Sequence, residues 1–248
     1  SKSILLAIDL IAFKKVNEIY GIKMGNYVLK SISKKLQQII RKNDLVLRYS
    51  ADKFLLLIND YKDLTFLDRF IHKILEKISS PITLNNRTVY ISAIVGAANC
   101  EKDLSLDIIL KNSFAALYHA KESELNFCIY NDQLERKIAK KNKLEIELRE
   151  AVKNEDFSVF YQPQVSIKTG DICAVEALAR WKNKEGIYIS PSIFIPLAEE
   201  IDVIKDIDKI ILRKAFSEAE DFLKSKKIKL ALNLSIKQFL DKEYIEFL

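Results

Sequence analysis

Glycine is scarce in this chain, with five residues in 248 against a usual share of roughly 7%. Loops that cradle phosphate normally use glycine to let the backbone come close. The scarcity therefore counts against an active nucleotide-handling loop in the first half. Cysteine is also rare. Cys100, Cys128 and Cys173 are scattered without paired spacing, which argues against a disulfide framework or a thiolate metal site and predicts reduced thiols in a cytoplasmic protein. His72 and His119 lie far apart and match no metal-ligand spacing, so both are expected on helix surfaces. No apolar run is long enough to span a bilayer, and no signal peptide opens the sequence. No membrane contact is expected within the chain.

What is present fits a soluble globular protein: 49% hydrophobic and 30% charged residues. The length allows one large domain or two modest ones. The net charge of +6 comes from lysines interleaved with acids along the whole chain. Such a balance permits a polyanionic ligand such as a nucleotide without demanding one, and DNA is not an expected partner.

Hydrophobic periodicity divides the chain into alternating strands and helices. Ile4–Ile8 reads as a buried strand ending at Asp9. Phe13–Tyr20 reads as a short helix, Gly21 and Gly25 as loop punctuation, and Asn26 as the cap of a second helix carrying Val28, Leu29, Ile32 and Leu36 on one face. Leu45–Leu47 and Phe54–Ile58 predict a hairpin. Thr65 to Asp68 has capping-box spacing ahead of a helix with Phe70, Ile71, Ile74, Leu75 and Ile78. Pro81 and Asn85–Asn86 mark turns, Val89–Ala97 a strand, Ser105–Lys121 a helix and Phe127–Tyr130 a closing strand. This alternation predicts an α/β sandwich over residues 1–131. Residues 132–154 are charged and lack proline and glycine, and read as a helical connector. From residue 155 the pattern continues with strands at Ser158–Val165 and Ile172–Ala179, helices at Pro191–Glu200 and Ile204–Lys224, a strand at Ile228–Leu234, and a further helical pattern to residue 248.

The turn Ser50-Ala51-Asp52-Lys53-Phe54 sits between two strand patterns. With its flanks it resembles the Gly-Gly-Asp-Glu-Phe signature of the GGDEF, or diguanylate cyclase, family. Asp52 and Phe54 are kept; both glycines and the second acid are replaced. In that family glycines admit phosphate close to the backbone and acids hold Mg²⁺. Lys53 places a cation where the family has an anion, which opposes metal binding by direct repulsion. The resemblance extends over about residues 3–131. Asp9 in Asp9-Leu10-Ile11-Ala12-Phe13-Lys14-Lys15-Val16-Asn17 matches a metal-binding aspartate, while Ile11 replaces a second acid. It implies a phosphate contact at Lys14, a guanine contact at Asn17, and Asn26 where a guanine-binding aspartate is usual. Lys121 matches a phosphate-facing lysine, and Glu124-Leu125-Asn126 stands in place of Gly-Arg-Asn. Each survivor also has a local reading, as a strand end, a helix cap or a solvated charge. Arg41-Lys42-Asn43-Asp44 matches the family's inhibitory Arg-x-x-Asp site for cyclic di-GMP. Arginine forks onto phosphate or guanine and aspartate accepts from guanine N–H groups. The same two residues also suit a helix C-terminus and a loop.

The second half is similar to the start of the EAL domain, a cyclic di-GMP phosphodiesterase. The motifs are Phe160-Tyr161-Gln162-Pro163, Val175 to Trp181, Ser190-Pro191, Phe194 to Glu200 and Leu232-Asn233-Leu234-Ser235. The resemblance implies metal ligands at Glu176 and Asn233 and a nucleotide site lined by Gln162, Leu178 and Arg180. Mg²⁺ or Mn²⁺ is the implied cofactor, since oxygen ligands suit these ions. Residues 155–248 are expected to cover only the first part of a barrel-like β/α fold, too little to complete the metal site.

Together these readings give an α/β protein: a GGDEF-type nucleotidyl-cyclase-like sandwich (1–131), a connector (132–154) and a partial EAL (β/α) barrel (155–248). The expected activity of the whole protein is cyclic di-GMP hydrolysis, with an inactive regulatory first domain and no hydrolysis by this stretch alone. The alternatives are a non-catalytic sensor of cyclic di-GMP or GTP, and a dimerisation platform. Uncovered strand edges predict self-association.

Overall fold

The computed structural model describes residues 2–226 and 228–233. Leu234, Ser235 and the helical pattern expected after them lie outside the described residues. The chain divides into two compact units, Ser1–Arg136 and Lys137–Leu248.

The first unit runs β1 (Ser3–Ile11), α1 (Phe13–Tyr20), α2 (Ile22–Gln37), β2 (Leu45–Arg48), β3 (Lys53–Ile58), α3 (Leu64–Ser79), β4 (Ile82–Leu84), β5 (Arg87–Val89), β6 (Ser92–Cys100), α4 (Leu106–Glu122) and β7 (Phe127–Ile129). Its sheet has the order β2-β3-β1-β6-β7, antiparallel except for the β6–β7 pair. β1 is central, and alternation sends its side chains to two covered faces. Ile4, Leu6 and Ile8 pack with Val28, Ile32 and Leu36 of α2 and Leu67, Ile71, Ile74 and Ile78 of α3. Leu5 and Ala7 pack with Leu55 and with Ile109 and Leu117 of α4. Each buried Leu, Ile or Val among these contributes roughly 1.5–3 kcal/mol.

Two glycines are fixed by close approach. A Cβ on Gly96 would lie 2.2 Å from the Ser113 carbonyl oxygen and from the Leu117 nitrogen, so α4 rests directly on β6. A Cβ on Gly25 would lie 1.9 Å from Oδ1 of Asn17. Gly25 is therefore inside α2, packed under α1, and not in a loop. Asn26 is likewise inside α2 and does not cap it; Gly21, at φ 81, forms the junction instead. α3 is capped two residues before the expected box. The Asp63 carboxylate accepts from the Phe66 N–H at 2.7 Å, a cap worth ~1 kcal/mol. The expected Val89–Ala97 strand is broken. Asn85 and Asn86, at φ 49 and 60, close a small β4–β5 hairpin that ends at Val89, and β6 starts at Ser92.

Helix α5 (Asp132–Asn154) is continuous across the boundary between units. It is followed by β8 (Phe157–Val165), β9 (Ile172–Lys182), β10 (Tyr188–Ile189), α6 (Pro191–Glu200), α7 (Ile204–Lys226) and β11 (Lys229–Leu232). β9 pairs antiparallel with β8 and β10 and parallel with β11. The described strands form an open sheet with helices on one face, as expected for part of a β/α barrel. Phe157, Val159, Ala177 and Trp181 meet Leu148 of α5, Phe194 of α6 and Ile207 and Ile211 of α7. Trp181 and Phe194 meet edge-to-face at 5.9 Å. Lys143–Glu185 and Lys184–Glu150 ion pairs, both at 2.5 Å, hold α5 to the β9–β10 turn. Among the described residues no helix is long and apolar enough to cross a membrane.

Candidate functional site

In the first unit, the β1–β3 register sets Asp9 opposite Lys53. The Leu10 N–H donates to the Asp52 carbonyl at 3.1 Å, tying the turn to the end of β1. Lys53 Nζ then lies 3.8 Å from Asp9 Oδ1 and 3.5 Å from Asp52 Oδ1. Lys121, from the last turn of α4, reaches Asp9 Oδ2 at 3.8 Å. Burial pushes the Asp9 carboxyl above its ordinary range; the Lys53 charge opposes this, Asp52 adds to it, and Lys121 opposes it more weakly. The structure thus brings together Asp9, Asp52 and Lys121. Lys14 pairs with Glu18 along α1 in solvent. The Asn17 carboxamide is held against Gly25.

The turn at Ser50–Ala51 forms without glycine. Neither residue takes a positive φ. The Arg48 guanidinium donates to the Ser50 carbonyl at 3.2 Å and the Ala51 carbonyl at 2.8 Å. Glu124 does adopt φ 54, at the position where the resemblance expects glycine.

Asp44 is buried. Its Oδ2 accepts from the Arg41 N–H at 2.8 Å and its Oδ1 from the Asn59 N–H at 2.9 Å. Both oxygens therefore already bind the loop backbone. The Arg41 guanidinium lies 5.1 Å from the Phe66 ring centroid, a cation–π contact. The two residues are close through the backbone of the loop, and the charged groups point to different partners.

In the second unit, the β8–β9 register places Gln162 across from Glu176, Phe160 across from Leu178 and Ser158 across from Arg180. By alternation these residues share the face of the sheet opposite the helices. Asn233 follows β11, whose parallel register sets Ala231 beside Glu176. Asn233 Nδ2 donates to Glu176 Oε1 at 2.7 Å. Arg180 donates to its neighbour's Ala179 carbonyl at 2.8 Å and lies 5.2 Å from the Phe160 ring centroid. A cavity of about 120 Å³ is lined by Leu178, Arg180, Leu232 and Asn233 together with Asp208. Sequence reasoning did not single out Asp208. Burial, helped by the charge of Glu199, pushes its carboxyl up to about 7. The signal available in the sequence was an acid on the apolar stripe of α7, between Ile207 and Ile211.

The two acid sites differ in their fit to a divalent ion. Glu176 and Asn233 converge and carry oxygen donors of the type that hard cations take. Asn233 would present its oxygen after a turn of the carboxamide. At Asp9 and Asp52 two ammoniums already face the carboxylates. Among the described residues no cluster of three or more histidine, cysteine, aspartate or glutamate side chains is arranged to hold a metal.

Residues 1–126 match the family model for the diguanylate cyclase GGDEF domain, and residues 145–248 match the EAL domain. The chain belongs to the GGDEF family and, with the EAL segment behind it, is a tandem GGDEF–EAL protein. It is 30% identical over 239 residues, covering 95% of this chain, to the bifunctional diguanylate cyclase/cyclic di-GMP phosphodiesterase MucR of Pseudomonas aeruginosa, of which it spans 35%. It is 27% identical over 237 residues, covering 94% of this chain, to the cyclic di-GMP phosphodiesterase PdeR of Escherichia coli, of which it spans 36%. The S helix–GGDEF–EAL structure of Vibrio cholerae LapD covers 99% of this chain, with a TM-score of 0.54 at 18% identity over 58% of that chain, a likeness of fold. The chain thus spans about a third of the length of the curated relatives named here.

Proposed function

We propose that the whole protein acts in cyclic di-GMP turnover in the cytoplasm, hydrolysing the cyclic dinucleotide through its EAL unit, with a GGDEF unit that regulates and does not cyclise. The observation that carries this reading is the 2.7 Å contact between Glu176 and Asn233 across neighbouring strands. Similarity to relatives named as cyclic di-GMP phosphodiesterases supports it. Glu176 and Asn233 would hold Mg²⁺ or Mn²⁺, which supplies charge neutralisation and an activated water to a phosphodiester. Arg180, 5.2 Å from the Phe160 ring centroid, carries a fork suited to phosphate or a guanine edge. Gln162 offers an amide across from Glu176, and Leu178 offers apolar contact to a base.

The test uses the full-length protein with Mg²⁺ or Mn²⁺ and chromatographic separation of cyclic and linear dinucleotide. Hydrolysis by the wild type and its loss in a folded Glu176→Gln variant are expected. Equal rates in the two would overturn the assignment. For the first unit, GTP or cyclic di-GMP held without turnover is the expected use of Lys14, Asn17, Lys121, Arg41 and Asp44. Formation of cyclic di-GMP from GTP above a no-protein control would overturn it.

A second reading is a non-catalytic sensor that acts by self-association. It is favoured by Phe160, Val165 and Ile172 of the second unit, all exposed apolar side chains. Light scattering with and without cyclic di-GMP decides it: a monomer at all concentrations removes this reading.

A further inference from the structure

We propose that the Lys53 ammonium is a built-in cation that takes the place of a divalent ion between Asp9 and Asp52, so that the first unit's acid cluster binds no metal. The inference supplies a cause for the non-cyclising reading of the first unit. It fails separately from that reading, because metal binding without cyclase activity would defeat the inference alone.

The argument rests on position. Lys53 is the first residue of β3 and is paired in register with Asp9, so its side chain rises beside that carboxylate by construction of the sheet. Its Nζ contacts a carboxylate oxygen of Asp9 and one of Asp52 at 3.8 and 3.5 Å. A single cation bridging two carboxylates is the role a bound divalent ion performs when it holds such groups together. Lys121 adds a second ammonium at the other oxygen of Asp9. Two carboxylates and two ammoniums balance, so the cluster has no net negative charge with which to draw Mg²⁺ or Mn²⁺. An entering ion would also meet two positive groups at close range.

The Lys53 side chain is about one-third exposed and that of Asp9 only 15%. The bridge is therefore partly withdrawn from solvent, and salt screens it less than a surface pair. Arg48 further commits the turn by holding the Ser50 and Ala51 carbonyls. Those two oxygens are then occupied as acceptors by a cation of the protein itself.

The experiment is Mn²⁺ binding by the full chain, read by electron paramagnetic resonance and by thermal shift, in a Glu176→Gln background that removes the second unit's acid. With Lys53 present, no bound Mn²⁺ signal above that of an Asp9→Asn control is expected. Lys53→Glu turns the balance to a net charge of −2 and is expected to bind Mn²⁺ at least about tenfold more tightly; adding Asp9→Asn to it should abolish the gain. Lys53→Met leaves Asp9 and Asp52 without their bridge. It should lower the melting temperature of the first unit, with Mn²⁺ restoring it. Binding of Mn²⁺ at Asp9 with Lys53 in place would overturn the proposal. So would a folded Lys53→Glu that gains no affinity together with a Lys53→Met that keeps the wild-type melting temperature.

Discussion

Asp9 and Glu176 are both carboxylates within strands paired on both sides, and they have been given opposite company. Asp9 faces two lysine ammoniums, one from the opposite strand and one from a helix end. Glu176 faces a neutral carboxamide, and among the described residues no lysine or arginine forms an ion pair with it. A carboxylate satisfied by a cation of the protein is a structural group. A carboxylate left beside an amide keeps its charge available to a cation from solution. The same contrast holds at the level of turns. The first unit's signature turn is closed by Arg48, whereas Asn233 and Arg180 line a cavity.

The largest expected effect lies in the core of the second unit. Trp181 is buried in the second core against Phe194. Trp181→Ala should cost about 3–5 kcal/mol there and leave the first unit's unfolding unchanged, seen as two separated transitions in calorimetry. One cooperative transition shifted as a whole would contradict it. Next in size, if the proposed function holds, Glu176→Gln should lower hydrolysis of cyclic di-GMP by the full-length protein at least about a hundredfold, more than the 10–100-fold typical of losing an outer-shell partner of a metal ligand. Asp9→Asn should leave the rate within about twofold, since Asp9 supplies no group to the Glu176–Asn233 site. A loss of similar size from both would erase the distinction between the acids.

A smaller effect separates Asp44 from Arg41. Asp44→Ala removes two charge-assisted bonds to backbone N–H groups and should destabilise the first unit by about 2–3 kcal/mol. Arg41→Ala loses an exposed cation–π contact worth about 0.5–1 kcal/mol. If Arg41 nonetheless carries cyclic di-GMP affinity, calorimetric titration of Arg41→Ala will show weaker binding with almost unchanged stability. Equal affinity would leave the Arg41–Asp44 pair a loop staple.

The mildest change concerns pH. Asp208 is raised from an ordinary 3.8 to about 7, so the folded chain holds this proton over a range where the unfolded chain has lost it. Stability from this group is full below about 4 and fades as pH rises through about 7. Asp208→Asn should therefore gain in melting temperature relative to wild type between pH 5 and pH 8. A difference independent of pH would mean that Asp208 is not held protonated.

Much of the fold was legible in order. Apolar spacing marked α3 and α4 and the β1, β3 and β8 strands, because each buries one side or both against neighbours and so writes its period into the sequence. The misplaced boundaries have a common origin. Thr65 has the spacing of a cap, yet Asp63 takes the role because its carboxylate reaches the Phe66 N–H first. Asn26 has the chemistry of a cap, yet Gly25 beside it is needed inside α2 for contact with Asn17. Gly25 has the chemistry of loop punctuation, yet the same contact places it inside α2. Local signals compete, and only packing chooses among them.

The sequence by itself determined the family, through motifs kept in order from Asp9 to Asn233. It also determined that Lys53 puts a positive charge into the degenerate signature. Tertiary structure alone decided where that charge goes. β1 and β3 are joined by a register that no local pattern encodes, and that register delivers Lys53 to Asp9, 44 positions away in sequence. The parallel pairing of β9 and β11 likewise brings Asn233 to Glu176 over a separation of 57 residues. Charges act through space over a few ångströms, so a sequence can name the acids and bases, while the sheet registers decide which of them meet.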